Sequence, residues 1–572
     1  MQKVIFLMLR RMRLPLILLI TTYAVSILGL VLIPGMDDQG NPWHMDFFHA
    51  VYFVSFLGST IGFGEIPYPF TDAQRMWTTF IIYAAVVSWL YAIGSILTLI
   101  QDQALRRVLA FSAFTRKVRR IQEPFHLICG YGDAGALLVR ELTERGIHCV
   151  VVDRDHERIL DLEVEDLPDF VPGLCADATQ SDILLAAGLK HPQCRSVIAL
   201  TTDDHCNLTV AITSKLLAPE LPVICRAETQ DAAANMASFG TDYTIDPFES
   251  FARRFAMMFH SPSMYLVWAW MTAVHNAPLP EFQKPPRGTW ILCGYGRFGK
   301  AVREHLSMEG IGTRIVEADI AKTQAPEETI EGRGTEADTL LEAGVKSAAG
   351  IIAGTDNDTN NLSVLMTARD INPDLFMVAR QNRGSNQAIF DAAHIDLTMQ
   401  PGAIVAMRAL SLILAPLLGD FLRLARDQDD AWANLLVSRV VGVMDEVAPE
   451  IWDIEISPLQ SPAVFDCLIR GEEVSLGNIC SDPRDHERQL SCVPLLLKRE
   501  SEELLLPDME ETLRAADRIL FCGRGEAFDQ IHHLVNDHRA LYYTRTGIDR
   551  PSGALWRWLS PDGAADQPGS YG

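Results

Sequence analysis

His126-Leu-Ile-Cys-Gly-Tyr-Gly-Asp-Ala-Gly135 is a short apolar run closed by G-x-G-x-x-G, and Trp290-Ile-Leu-Cys-Gly-Tyr-Gly-Arg-Phe-Gly299 repeats it nearly residue for residue. Each copy reads as a strand, a tight glycine turn and the start of a helix. In both copies an acid follows 18 residues after the last glycine: Asp153 after Cys-Val-Val-Val, and Glu317 after Arg-Ile-Val. Strand, glycine loop, helix and acid at that spacing form the fingerprint of a dinucleotide-binding α/β lobe, and here it occurs twice.

The repeat continues beyond the glycines. Ser181–Gly188 parallels Ala337–Gly344, Val197–Leu208 parallels Ile351–Leu362, and Val223–Ala227 parallels Met377–Gln381. Strands alternate with helices, so each lobe is expected to build a parallel sheet covered on both faces. These ordered motifs resemble the RCK (KTN, TrkA-N) family, which regulates potassium conductance. The resemblance covers about residues 126–250 and 288–405. It implies crossover helices after Asp246-Pro247 and after Gln400-Pro401. Pro278–Gly288 reads as a stiff linker. Residues 430–541 read as an α+β C-lobe, closed by a strand near Leu513–Gly523.

The resemblance also assigns binding residues. In the first lobe the nucleotide is expected against Gly130, Tyr131, Gly132, Asp133, Ala134, Gly135, Asp153, Arg154, Asp177, Ala178, Thr201 and Arg226. In the second it is expected against Gly294, Tyr295, Gly296, Arg297, Phe298, Gly299, Glu317, Asp319, Thr355 and Arg380. A helix N-terminus after each glycine loop offers N–H groups to a phosphate. Asp133 stands where the second loop has Arg297. A carboxylate repels phosphate and a guanidinium chelates it, so the second lobe is expected to hold the more anionic ligand more tightly. Asp153 and Glu317 suit ribose hydroxyls and disfavour a 2′-phosphate, which favours NAD or ADP/ATP over NADP. Arg226 and Arg380 either reach phosphates or pair with lobe carboxylates. Among the positions that hold calcium in related proteins Glu228 matches, while Leu200 and Arg226 fall where acids are expected; calcium stays open.

The head of the chain has a different chemistry. The net charge is −24, from 49 Lys+Arg against 73 Asp+Glu, which argues against a nucleic-acid partner. Yet residues 1–125 carry 11 Lys+Arg against 7 Asp+Glu, so a net of −28 falls on the rest. Leu14–Ile33 is 20 residues without a charge, about 30 Å of helix. It is too long for a signal peptide, and no small-residue cleavage site follows. Met76–Ile100 is a second uncharged stretch. Lys3, Arg10, Arg11 and Arg13 precede the first span, and Arg106 to Arg120 contribute a basic run after the second. The positive-inside bias places both termini in the cytoplasm of a plasma-membrane, multi-pass protein. The 11 cysteines show no zinc-ligand spacing and read as small core hydrophobes of a reduced body.

Between the spans, Met45–Gly58 is apolar and too short to cross, a half-helix that dips in and returns. Ser59-Thr60-Ile61-Gly62-Phe63-Gly64-Glu65 follows. Non-helical backbone at membrane depth must be buried in protein or line a wet cavity. Gly62 and Gly64 permit positive φ, and a ring of carbonyls from several chains replaces the water around a cation. The loop resembles the potassium-channel signature Thr-Val-Gly-Tyr-Gly-Asp, with Ile61, Phe63 and Glu65 as departures. The resemblance puts K+ on the carbonyls of Thr60, Ile61, Gly62 and Phe63, extends the filter to Gly64, and requires a homotetramer. Phe63 lacks the hydroxyl that ties this loop down in related channels, so a poorly selective cation channel is the alternative. Glu65 is expected to form a carboxylate ring at the outer mouth. Gly94 reads either as a gating bend or as a point of close helix packing, and Leu97 as a lining residue of the inner mouth.

The expected architecture is thus a two-span pore domain with a pore helix at 1–100 (filter at 60–64), followed by a linker at 101–125. Then come a first RCK lobe at 126–286, a second at 287–429, its C-lobe at 430–541, and a disordered tail at 542–572. The expected function is a ligand-gated potassium channel in a lipid bilayer, with a gating ring of RCK lobes and a regulatory nucleotide, and not an enzyme. A membrane-anchored NAD-dependent oxidoreductase is the remaining rival, but no catalytic His or Lys can be placed.

Overall fold

The computed structural model describes residues 2–62, 64–273, 283–444, 447–500 and 502–549. Phe63 and most of the expected tail, from 550 on, lie outside the described residues. The chain divides into two compact units, 1–121 and 122–572.

Among the described residues the first unit holds two helices long and apolar enough to cross a membrane, Met12–Leu32 and Asp72–Gln101. Between them Phe47–Gly58 is helical, and 12 residues rise only about 18 Å. Asp46 caps this short helix, accepting the His49 N–H at 2.7 Å. Thr71 and Gln74 form a capping box at the start of the second span. Small residues set the packing of these helices. A Cβ at Gly29 would lie 2.1 Å from the Trp77 ring, and one at Gly58 would lie 2.6 Å from the Tyr23 hydroxyl. Phe53, Phe56, Phe70, Leu30 and Ile81 fill the space around the short helix. Most of the expected 101–125 linker is a further helix, Gln103–Val118, set off from the second span by extended backbone at Asp102.

In the second unit two six-stranded sheets repeat one topology. The first runs Gly173–Cys175, His148–Asp153, Phe125–Cys129, Cys194–Ala199, Val223–Arg226, Tyr243–Ile245, all parallel. The second runs Ile330–Glu331, Thr313–Glu317, Trp290–Cys293, Gly350–Ala353, Phe376–Arg380, Leu397–Met399, also all parallel. The glycine-loop strand sits where the strand order reverses, the place where such sheets open a crevice at their carboxyl ends.

The crossover helices are exchanged between the lobes. Pro247–His260, which leaves the first sheet, buries Phe248, Phe251, Phe255 and Phe259 against Trp290, Phe298 and Val302 of the second lobe. Pro401–Leu414, which leaves the second sheet, buries Val405, Ala406, Ala409 and Leu410 against Leu138, Val139 and Leu142 of the first. Pro401–Leu414 is strongly apolar because one face of it, Val405, Ala406, Ala409, Leu410 and Leu412, is core.

The C-lobe is a four-stranded antiparallel sheet ordered Glu450–Glu455, Arg518–Gly523, Cys492–Arg499, Glu502–Leu505. The strand expected near Leu513–Gly523 begins at Arg518 and lies inside the sheet. The lobe's last helix, His538–Thr546, runs past the boundary expected at 541.

Candidate functional site

Two regions qualify, the loop between the spans and the clefts above the parallel sheets. In the loop, the short helix ends on its own carbonyls: Thr60 N–H donates to Leu57 O at 3.1 Å and Ile61 N–H to Phe56 O at 3.0 Å. Thr60 has φ +62°, Gly62 +67° and Gly64 +101°, while Ile61 stays in the ordinary range. Left-handed backbone at every second residue lets neighbouring carbonyls face one side. Thr60 pays a strain for it that a glycine would not.

Glu65 departs from expectation. Arg75 Nε donates to Oε1 at 2.9 Å and Nη2 to Oε2 at 3.2 Å, and Phe70 N–H donates to Oε2 at 2.9 Å. The Arg75 guanidinium holds the Glu65 carboxyl below the usual carboxylate range. Glu65 is therefore half of a neutralised pair rather than a bare carboxylate. At Gly94 the helix runs on, and a Cβ there would meet nothing within 4 Å inside the protomer. Leu97 is exposed in the protomer.

The first cleft is a cavity of about 290 Å3 that brings together Gly130, Asp153, Arg154, Asp177, Ala178 and Thr201. Asp153 is the hinge of this arrangement. It is buried, accepts the Tyr131 N–H at 2.5 Å and the Asp155 N–H at 2.8 Å, and lies 3.4 Å from Arg158 Nη1. The carboxylate thus fixes the glycine loop while still lining the cavity. Glu317 does the same in the second lobe, accepting the Tyr295 N–H at 2.6 Å and the Asp319 N–H at 2.9 Å. Gly130 and Gly294 have φ near +100°, and each is the turn that brings the loop over the next strand.

Several expected contacts are redirected. The Tyr131 side chain faces the core and its hydroxyl donates to Glu165 at 2.6 Å, so only its backbone belongs to the cleft. Phe298 is fully buried among Phe248 and Phe251, because the exchanged helix covers it. Arg226 is buried and paired with Glu228. Arg297 reaches across to the same Glu228 and lies over the Phe248 ring, 5.5 Å from its centroid. Arg380 shares that ring at 4.8 Å. The guanidinium expected to chelate phosphate in the second lobe is thereby spent on a carboxylate of the first lobe. Glu228, held between two arginines, has no free charge for a divalent cation. In the mirror-related place Asp133 accepts the Gly384 N–H at 3.0 Å, and a Cβ at Gly402 would lie 3.0 Å from Asp133. Each lobe's helix N-terminus is thus covered by the other lobe.

Asn207 and Asn361 were not singled out by sequence. Both are fully buried. Asn207 accepts the Thr201 N–H at 3.1 Å and donates to Arg226 O at 2.9 Å; Asn361 accepts the Thr355 N–H at 2.9 Å and donates to Arg380 O at 2.7 Å. Each ties the ends of two strands under the cleft. Their recurrence at the same place in the repeat was the available signal. Arg158, Asp203, His205 and Cys206 also line the first cleft. Most cysteines are buried, and burial pushes the thiols of Cys149, Cys225 and Cys293 up to about 12; Cys175 is exposed, contrary to the reading of all of them as core.

Comparison with known proteins agrees with this division of the chain. The ion channel family matches residues 16–102, and the TrkA-N domain family matches 126–247 and 290–401. Potassium channel protein 1 of Methanocaldococcus jannaschii is 25% identical over 203 residues, 36% of this chain and 59% of that protein. The voltage-gated potassium channel Kch of Escherichia coli is 23% identical over 197 residues, 33% of this chain and 44% of its own. The chain thus spans less than two thirds of the length of these relatives. Among solved structures the GsuK channel is similar at 15% identity, covering 93% of this chain and 99% of that chain, with a TM-score of 0.46.

Proposed function

We propose that this chain, which joins an ion-channel domain to two TrkA-N domains, is the protomer of a homotetrameric potassium channel regulated by a nucleotide. The observation that carries the reading is the left-handed backbone at Thr60, Gly62 and Gly64, directly after a helix too short to cross. One such loop supplies one side of an ion site, and four copies close a ring of carbonyls. The spans sit in the plasma membrane with both termini in the cytoplasm.

The regulatory ligand is NAD or an adenine nucleotide, and the first lobe is its better cleft. Asp153 there meets ribose hydroxyls, and Arg154 meets phosphate. Arg297 of the second lobe is already paired. Binding shifts the pore only by the difference in affinity between closed and open states, passed along the helix Gln103–Val118. The protein turns over no substrate. Calcium has no support from Glu228, which two arginines already neutralise. Phe63 keeps a poorly selective cation channel as the second reading.

Single-channel recording from purified protein in bilayers tests the proposal. NAD, ADP, ATP and calcium are added singly to the cytoplasmic side. Potassium currents altered by a nucleotide are expected; a bi-ionic potassium-to-sodium permeability ratio near one favours the second reading, and no conductance at all rejects both.

A further inference from the structure

The repeat is asymmetric at one pair of places. Arg297 of the second glycine loop meets Glu228 of the first lobe, whereas the equivalent places of the other half hold Asp133 and Asn382. Asn382 is turned back on its own lobe, its Nδ2 donating to Asp358 at 2.8 Å. Among the described residues only the second glycine loop takes a carboxylate from the opposite lobe.

That carboxylate is outnumbered. Glu228 is 7% exposed and is divided between two arginines, with Arg226 Nη2 on Oε1 and Arg297 Nη2 on Oε2. Arg226 is also 7% exposed, and its Nε is buried without a hydrogen-bond partner. Arg380 brings a third guanidinium, which lies over the same Phe248 ring as Arg297. Among the described residues Arg380 enters no ion pair, and its Nε too is buried without a partner. Burial pulls Arg380 below its usual range, and the neighbour that opposes this most is Glu228, already shared. Three guanidiniums thus gather at one carboxylate, and cations withdrawn from water are costly without a counter-charge. The approach from solvent is open. The Arg297 side chain is half exposed, and a Cβ at Gly296 would meet nothing within 4 Å.

We propose that Glu228 is a built-in competitor for the second cleft, which takes a nucleotide with a free terminal phosphate in exchange for Glu228 on Arg297. The inference rests on the reading of the lobes as nucleotide sites. In the exchange Glu228 keeps Arg226, so no buried carboxylate is stranded. A terminal phosphate carries nearly two negative charges at neutral pH and pairs with a guanidinium through two hydrogen bonds. It therefore balances Arg297 and Arg380 together. A dinucleotide brings only singly charged diester phosphates, so the second cleft prefers a nucleoside diphosphate to NAD. The Arg297–Glu228 pair also bridges the lobes, and a ligand that breaks it couples its own binding to their pairing.

Calorimetric titration of the full-length protein in detergent tests it, with ADP in one arm and NAD in the other. Glu228→Gln is expected to tighten ADP binding at the second site by about tenfold, the release of one charge-assisted contact, and NAD binding by much less. Arg297→Gln, which leaves the Arg226–Glu228 pair in place, is expected to abolish the second site and to keep the first. Should Glu228→Gln not fold, Glu228→Asp decides: it keeps a counter-charge for Arg226, falls short of Arg297, and is expected to tighten ADP binding in the same direction. Second-site affinity for ADP that is unchanged in the Glu228 variants overturns the proposal. So does a second site in Glu228→Gln that takes NAD as tightly as ADP, or an Arg297→Gln protein that loses no ADP binding. In each of these cases binding at the first site still stands for the nucleotide reading; a protein that binds neither ligand at any site rejects both.

Discussion

Glycines at neighbouring places of one loop do opposite things. A Cβ at Gly135 would lie 2.0 Å from Gly130 O, and one at Gly299 2.1 Å from Gly294 O, so these two hold helix against strand. A Cβ at Gly132 would come no closer than 3.4 Å to anything, and one at Gly296 would meet nothing within 4 Å. Gly135→Ala is therefore expected to destabilise the body by about 1–3 kcal/mol, read as a fall in Tm. Gly132→Ala is expected to leave Tm nearly unchanged while weakening nucleotide binding by about tenfold, measured calorimetrically. Such steric roles are legible from the motif alone. The fate of Arg297 is not. Its partner Glu228 is distant in sequence and meets it only because the lobes pair, and local spacing carries no trace of that. Glu228→Gln leaves Arg226 buried without its carboxylate; a loss of about 3 kcal/mol is expected in denaturant unfolding, together with tighter nucleotide binding in the second lobe as Arg297 is released.

At the level of elements, the segment after Asp246-Pro247 announced itself as a helix through its aromatic and Met-rich composition, and the one after Gln400-Pro401 as its parallel in the repeat. Which lobe each one covers depends on shape complementarity, which a hydrophobic pattern does not specify. The interface of Pro247–His260 with Arg297–Met308 also carries Glu249, 2.9 Å from His305 Nε2 and 2.9 Å from Arg253 Nη2. The hydrogen bond from His305, with help from Arg253, outweighs burial and holds the Glu249 carboxyl down to about 2. An unfolded glutamate titrates near 4.3. The folded value is the lower, so the stabilisation is fully present above about pH 4.3 and is lost as pH falls toward 2. The side chain is partly exposed, which limits the contribution to about 1 kcal/mol. Tm measured between pH 5 and pH 3 is expected to fall more steeply in wild type than in Glu249→Gln. On the same interface Phe255→Ala removes a fully buried ring stacked edge-on to Trp290, at an expected cost of about 3–5 kcal/mol.

For the whole molecule, the order of parts could be read from the sequence because the spans, the half-helix and the two glycine loops each have their own period and length. The pairing of Glu65 with Arg75 could not, since the two are separated by the turn that brings them together. If four copies close the pore as proposed, the pairs add no net charge at its mouth. Arg75→Gln uncovers four carboxylates, so potassium conductance at low salt is expected to rise by about twofold and the gain to vanish at high salt, in bilayer recordings. Conductance unchanged at low salt would show that the mouth lies elsewhere.

The exchange of helices fixes an order on the ribosome. The first lobe is closed by Val405, Ala406, Ala409 and Leu410, which are translated long after Leu138 and Leu142 have emerged. At roughly 5–20 residues per second the nascent lobe waits on the order of ten seconds or more with one apolar flank uncovered. A fragment truncated near residue 290 keeps a complete parallel sheet and still lacks its lid, so it needs a chaperone, or the missing helix supplied in trans, to stay in solution.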